Sequence, residues 1–364
     1  MSKQRVTEEP SLSFGVGLTN ACNMACPFCY SLEERQRRTV AEKSIWLDFF
    51  NEFGPRMKSV NFGTGENTLD PFFFNLCAHL KVTLPSLDIA LTTNGTLSTK
   101  IAESSYCRDI AHRCLTDVDV SLDFHDATRH NRFRGNEKAF EMALDTLELC
   151  SSWGCNTSIV MLGIESTLEE DNLKGLLELA RQYNSILRIN LYRPVIQTDL
   201  LHPPKLSHIL SAFDWLSSNA TIVKLSDPLF AAVLTEATTS SDPSGSTSFR
   251  VLPDGKVFPS TYLISERHCL GTISDLQSLT RIIDQQSWVR SNARLPEYCM
   301  DCAVSERCGG GTLDRRFLWY GSSSKPDPYC PRRENSPTQL RKYTVEGYVS
   351  SVHDDYLPTL FFRP

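Results

Sequence analysis

From residue 13 to residue 225, short runs rich in β-branched and apolar residues alternate six times with stretches of helical periodicity. The runs are Phe14–Thr19, Lys58–Phe62, Asp88–Thr93, Asp117–Leu122, Thr157–Leu162 and Leu187–Leu191. Between them lie amphipathic segments such as VAEKSIWLDFFNEF, PFFFNLCAHL, KAFEMALDTLELC and LEEDNLKGLLELARQ. Parallel neighbours need a crossover of a dozen or more residues, so repeated strand–helix units imply a parallel sheet with helices outside it. Six units are too few for a closed eight-fold barrel. Functional groups in such a sheet are expected on the loops that follow the carboxyl ends of the strands.

A length of 364 residues allows one large α/β domain and a smaller one. Hydrophobic content of 41% and charged content of 22% are those of an ordinary globular chain. The net charge of −6 argues against a phosphate-backbone footprint, so no nucleic-acid partner is expected. No apolar run approaches a membrane span, and the N-terminal MSKQRVTEEPSLS lacks the apolar core of a signal peptide. A cytoplasmic protein without a membrane partner is the expectation. In that reducing compartment thirteen cysteines need an explanation other than disulfides. Cys77, Cys107, Cys114, Cys150 and Cys155 are scattered, and core packing is the default for such thiols.

Two cysteine groups stand apart from that default. The first is ACNMACPFCY, with Cys22, Cys26 and Cys29 spaced C-x3-C-x2-C on the loop after the first strand. The spacing suits a four-iron cube held by three thiolates, which leaves one iron open to a small molecule. Three thiols on a zinc ion, or in a loop by chance, are the bland alternatives. With Tyr30 directly after Cys29, the run resembles the signature of the radical S-adenosylmethionine (radical SAM) enzymes. In that family the open iron of a [4Fe-4S] cluster chelates SAM, and the reduced cluster cleaves it to a 5′-deoxyadenosyl radical that takes a C–H hydrogen from substrate. The six units then resemble the family's open partial (β/α)6 barrel.

Other loops resemble the same pattern position by position. Gly63-Thr64-Gly65-Glu66-Asn67 looks like the loop that binds the SAM amino group, with a backbone unhindered by Cβ and a carboxylate for the ammonium. Asn67 replaces the usual proline, a departure. Asn94, in Thr92-Thr93-Asn94-Gly95, matches the loop near SAM after the third strand. Ser121 and Arg134 resemble the segment that holds the ribose and carboxylate, Arg134 through its fork of donors. His125 and His130 could act as acid or base, but a lone loop histidine carries no role by itself.

The second group is Cys299-x2-Cys302-x5-Cys308, then Gly309-Gly310-Gly311 and Cys330. It resembles the SPASM domain, and its cysteines match the ligands of one auxiliary four-cysteine [4Fe-4S] cluster; structural zinc is the alternative that four cysteines would also suit. Ser260, Thr312 and the cysteine-free Thr247–Arg250 stand where a second auxiliary cluster would need thiolates, and oxygen donors are poor substitutes. That inner cluster is therefore expected to be missing. Cys269, in RHCLGTIS, is a candidate hydrogen-atom donor, a ligand of a degenerate cluster, or a core thiol.

The organisation read from the chain is a radical SAM partial barrel at 13–236, a linker at 237–248, a small SPASM/twitch-like cysteine-rich domain at 249–335 and a tail of unassigned role at 336–364. The linker, ATTSSDPSGSTS, is small and polar, and a hairpin turning at Asp254-Gly255 follows it. The resemblance implies modification of a peptide or protein by crosslinking, epimerisation or oxidation; the alternative is a dehydrogenase or epimerase of a sugar or aminocyclitol. It also implies an electron donor such as flavodoxin or ferredoxin. With no further domain ahead of the first strand, a separate peptide-delivery protein or the tail would have to present a peptide.

Overall fold

The computed structural model describes residues 11–32, 39–195, 201–236, 241–334, 340–346 and 356–364. The six expected strands form within two residues of their predicted ends: β1 (Leu12–Val16), β2 (Met57–Phe62), β3 (Asp88–Thr93), β4 (Asp117–Ser121), β5 (Asn156–Gly163) and β6 (Ile186–Leu191), except that β1 stops three residues early. Each pairs in parallel with the next. They are joined through helices α1 (Lys43–Phe53), α2 (Pro71–Thr83), α3 (Thr96–Glu103), α4 (Ser105–Cys114), α5 (Ala127–Arg134), α6 (Ala139–Trp153) and α7 (Glu170–Gln182). Helix starts follow local chemistry. At α2, Asp70 accepts the Phe72 N–H at 2.9 Å and Pro71 fills the first position, where no backbone donor is needed.

Strand alternation decides what each face of the sheet carries. On β1, Phe14 and Val16 face the helices; Phe14 meets Phe49 of α1 edge-to-face at 5.2 Å and stacks on Phe249 at 5.4 Å. The opposite face of the barrel carries Asn61 of β2, Thr92 of β3, Ser121 of β4 and Arg188 and Asn190 of β6, which line one cavity. The barrel interior is thus polar where it approaches the loops.

The chain then adds α8 (Leu206–Asn219), β7 (Thr221–Leu225) and α9 (Pro228–Leu234), followed by the expected hairpin, β8 (Ser248–Val251) and β9 (Lys256–Phe258), and the short β10 (Gly271–Thr272). The hairpin is continuous with the barrel: β8 pairs in parallel with β1, with Arg250 opposite Gly15. Residues 237–240 lie outside the described residues. The remainder of the polar stretch is anchored, because Asp242 accepts the Leu313 N–H at 2.6 Å and the Thr247 carbonyl accepts the Ser13 N–H at 2.8 Å. Past α10 (Leu276–Asp284) and α11 (Ser287–Asn292), the cysteine-rich segment folds into α12 (Ser305–Cys308) and α13 (Leu313–Tyr320).

The tail, which carried no assigned role, contributes a strand. β11 (Leu360–Arg363) inserts antiparallel between β6 and β7, completing a sheet of order β10-β9-β8-β1-β2-β3-β4-β5-β6-β11-β7. None of the described helices is long and apolar enough to cross a membrane.

Candidate functional site

Cys22, Cys26 and Cys29 ring one side of a cavity of about 200 Å³ at the carboxyl ends of the barrel strands. Each sulfur has a polar neighbour. Asn94 Nδ2 donates to Cys22 Sγ at 3.5 Å, Arg134 Nη1 reaches Cys26 Sγ at 4.0 Å, and Ser31 Oγ lies 3.3 Å from Cys29 Sγ. Burial pushes the Cys26 thiol up to about 11; Arg134 opposes this, while Cys29, Asp123 and Cys22 add to it. Protein groups alone therefore do not hold Cys26 as a thiolate. A cationic iron core would, and donors near the sulfurs suit thiolate ligation of a cluster.

The loops around the cavity brace one another. Tyr30 Oη donates to the Gly63 carbonyl at 3.1 Å, tying the cysteine loop to the loop after β2. Gly65 has φ +64°, and a Cβ there would stand 2.3 Å from the Thr19 carbonyl, so this crossing requires glycine. Asn67, the departure from the expected proline, accepts the Leu18 N–H at 2.8 Å and donates to the Thr64 carbonyl at 3.2 Å, locking the loop to the exit of β1.

Glu66 and Arg134 lie on the cavity wall as expected, but most of their bonding is spent inside the protein. Glu66 accepts from Thr68 Oγ1 at 2.6 Å, Thr93 Oγ1 at 3.0 Å and the Asn94 N–H at 2.9 Å. Burial raises its pKa, against the pull of those donors. Arg134 gives Nε and Nη2 to Asp123, at 2.7 and 2.6 Å, leaving Nη1 toward Cys26. Asp123, in the same segment as Ser121, also accepts the Leu162 N–H at 2.9 Å and so connects β4, β5 and α5. The end of α5 closes on the cysteine loop, with the Ala25 N–H donating to the Arg134 carbonyl at 3.0 Å. Ser121 and Asn94 also line the cavity.

His130 is buried, with Nδ1 accepting the Asp123 N–H at 3.2 Å. Burial, reinforced by Arg134, lowers its pKa to about 2, so it is a neutral structural imidazole. His125 lies outside the cavity, with its backbone N–H on Asn172 Oδ1 at 3.0 Å. Cys269 lines neither this cavity nor the second one; its thiol donates to the Gly271 carbonyl at 3.4 Å at the edge of the sheet.

Sequence reasoning missed the opposite wall. Arg188, Arg193, Arg250, Tyr262 and Tyr356 all face the cavity, the last from the tail. Arg193 Nε meets Asp314 at 2.7 Å and its guanidinium lies 4.8 Å from the centre of the Tyr262 ring. Tyr356 fits only because residue 15 is glycine: a Cβ there would stand 1.7 Å from the Tyr356 hydroxyl.

Cys299, Cys302, Cys308 and Cys330 line a second cavity, of about 680 Å³, with Leu229 and Val233 of α9. Burial pushes Cys299 up to about 11 and Cys308 up to about 12. Among the described residues no group of His, Cys, Asp or Glu is drawn together tightly enough for one metal ion. Ser260 and Thr312 are buried and line neither cavity. None of the thirteen cysteines is in a disulfide.

An open parallel barrel that gathers three thiols and a glycine-rich loop at its strand ends defines a class of enzyme that carries its cofactor on loops. Residues 16–177 match the model of the Radical SAM superfamily. Its members use a [4Fe-4S] cluster and SAM. The mycofactocin maturase MftC of Mycolicibacterium smegmatis is 26% identical over 355 residues, covering 92% of this chain and 86% of the relative. The solved structure of anSMEcpe with bound AdoMet is similar at a TM-score of 0.69 and 17% identity, over 89% of this chain and 92% of that one. Streptococcus suis SuiB bound to precursor peptide SuiA is similar at a TM-score of 0.70 and 14% identity, over 88% of this chain and 75% of that one.

Proposed function

We propose that this radical SAM enzyme modifies a peptide or protein, with Cys22, Cys26 and Cys29 holding the cluster. One observation carries the reading: the three cysteines, the glycine-rich loop, Asn94, Ser121 and Arg134 converge on one cavity at the strand ends. When bound, the cluster and SAM supply a 5′-deoxyadenosyl radical. The chain's own residues orient the cofactor and shield the cavity: Gly63 and Gly65 let the backbone approach it, Glu66 braces the loops after β2 and β3, and Arg134 is aimed by Asp123. The similarity to an enzyme solved with its precursor peptide, and to a maturase along nine-tenths of the chain, favours a peptide substrate over a sugar or aminocyclitol.

Cys299, Cys302, Cys308 and Cys330 are proposed to hold one auxiliary [4Fe-4S] cluster within a SPASM-like unit at 249–335, whose hairpin extends the sheet of the barrel unit at 13–236. A closed cluster of this kind cannot bind SAM, and its role is electron transfer or scaffolding. A flavodoxin or ferredoxin in the cytoplasm would supply electrons, and a separate protein would deliver the peptide.

The test is anaerobic reconstitution followed by iron counting and assay of 5′-deoxyadenosine with dithionite. About eight iron atoms per chain are expected for two four-iron clusters, and about four would remove the auxiliary one. Alanine at Cys22, Cys26 and Cys29 should abolish SAM cleavage, and retained cleavage would refute the assignment. A mass change on a short peptide encoded beside this protein is the expected product. Conversion of a sugar or aminocyclitol instead would overturn the peptide reading.

A further inference from the structure

The wall opposite the cysteines holds more positive charge than the protein itself neutralises. Among the arginines facing the cavity, Arg134 has Asp123 at 2.6 Å and Arg193 has Asp314 at 2.7 Å. Arg188 is only 1% exposed, with Nη1 3.5 Å from Asp119 and neither Nε nor Nη1 in a hydrogen bond. Arg250, also 1% exposed, meets tyrosine hydroxyls. Its Nη1 donates to Tyr356 Oη at 3.3 Å, its Nη2 to Tyr30 Oη at 3.5 Å, and its Nε has no partner. Burial raises the pKa of the Tyr262 hydroxyl to about 12, so that phenol is no counter-ion. Among the described residues Arg250 has no carboxylate in ion-pair range. A desolvated guanidinium without an anion is unfavourable, and its planar fork matches a carboxylate.

Topology brings the two arginines together. Arg188 lies on β6 and Arg250 on β8, at opposite ends of the run of parallel pairs from β8 through β6. Both lie within electrostatic reach of the Tyr262 and Tyr356 hydroxyls, so they close on one region of the barrel's open side. We propose that Arg250, with Arg188, is a receptor for a carboxylate of the substrate. The inference rests on the reading of this cavity as the reaction site, and it narrows the substrate to one that presents an anionic end there. SAM carries a carboxylate too, and the test separates the two sources.

The test uses the reconstituted full chain and its Arg250→Gln, Arg250→Lys and Arg188→Gln variants. The probes are two hexapeptide libraries without Asp or Glu, one with a free C-terminal carboxylate and one amidated, and the pair glucuronate and glucose. Binding of each probe and of SAM is read as retention in equilibrium dialysis. The expected result is retention of the acid library at least tenfold better than the amide, lost in Arg250→Gln, weakened in Arg188→Gln and partly restored in Arg250→Lys, with SAM affinity within twofold of the parent. Arg250-dependent binding of glucuronate alone would keep the anion receptor and remove the peptide reading. Equal binding of charged and uncharged probes, or a preference that survives in Arg250→Gln, would overturn the receptor. So would a tenfold loss of SAM affinity in Arg250→Gln, which would assign the guanidinium to the cofactor. Iron content and far-UV spectra matching the parent certify that each variant is folded.

Discussion

The two cysteine-lined cavities are built by opposite strategies. The three-cysteine cavity is assembled over long range, from strand ends and loops that only the sheet brings together; Asn94 reaches a sulfur 72 residues away and Arg134 one 108 residues away. The four-cysteine cavity is mostly local, made of short helical turns and three successive left-handed glycines, Gly309, Gly310 and Gly311. It owes its place to a buried ionic knot: Arg315 sits between Asp227, at the start of α9, and Asp327, three residues before Cys330. One site depends on register, the other on an ionic knot. Damage should therefore stay local at the second and spread at the first.

The largest separation is expected from Arg315→Met. It leaves two buried carboxylates uncompensated, a loss of about 3–5 kcal/mol. Iron should fall from about eight to about four atoms per chain while 5′-deoxyadenosine formation persists. Equal loss of both would make the two cavities one cooperative unit. Next, Asp123→Asn removes the anion that aims Arg134, and buried charged hydrogen bonds are worth about 1.5–3 kcal/mol. SAM affinity should drop about tenfold, a change of about 1.4 kcal/mol, with the C-terminal iron intact. Dialysis that finds parental affinity would dismiss Asp123 as a positioning residue.

A finer contrast uses two glycines of similar backbone angle. Gly65→Ala forces a Cβ to 2.3 Å from a carbonyl, whereas at Gly309 nothing stands within 4 Å. The first should lose about 1–3 kcal/mol in denaturant unfolding and the second about 1 kcal/mol or less. Equal losses would mean that conformation alone, not contact, decides. The smallest effect is on pH. His130 titrates near 6.5 when unfolded and near 2 when folded, so between those values only the unfolded chain binds the proton. Stability then falls as pH drops below 6.5, by about 1.4 kcal/mol per unit for this group. His130→Asn should flatten the slope between pH 6.5 and 5.5, and an unchanged slope would assign it to other groups.

The six-strand barrel was legible because parallel strands covered by helices read as short apolar, β-branched runs, and Asp254-Gly255 marked the hairpin. The cysteine loops were legible because thiol spacing is local. Two things were not. LFFR carries no sign that its partners are β6 and β7, since pairing over such separations leaves no local pattern. The buried arginines read as surface residues, for the usual reason that guanidinium prefers water. A signal existed: Arg188 in ILRINL and Arg250 in SFRV stand between residues of the helix-facing side, so strand alternation had to turn them inward.

The inserted strand also sets an order of assembly. Arg193 donates to the Pro358 carbonyl across 165 residues, and Tyr356 joins Thr261 across 95. Contacts of such span close late, after local helices and neighbouring strands have formed. During synthesis the gap between β6 and β7 must therefore wait, with both edges unpaired, until residues 356–363 leave the ribosome. The wall that Tyr356 supplies is finished last, and a nascent chain reaches its cofactor-ready shape only then.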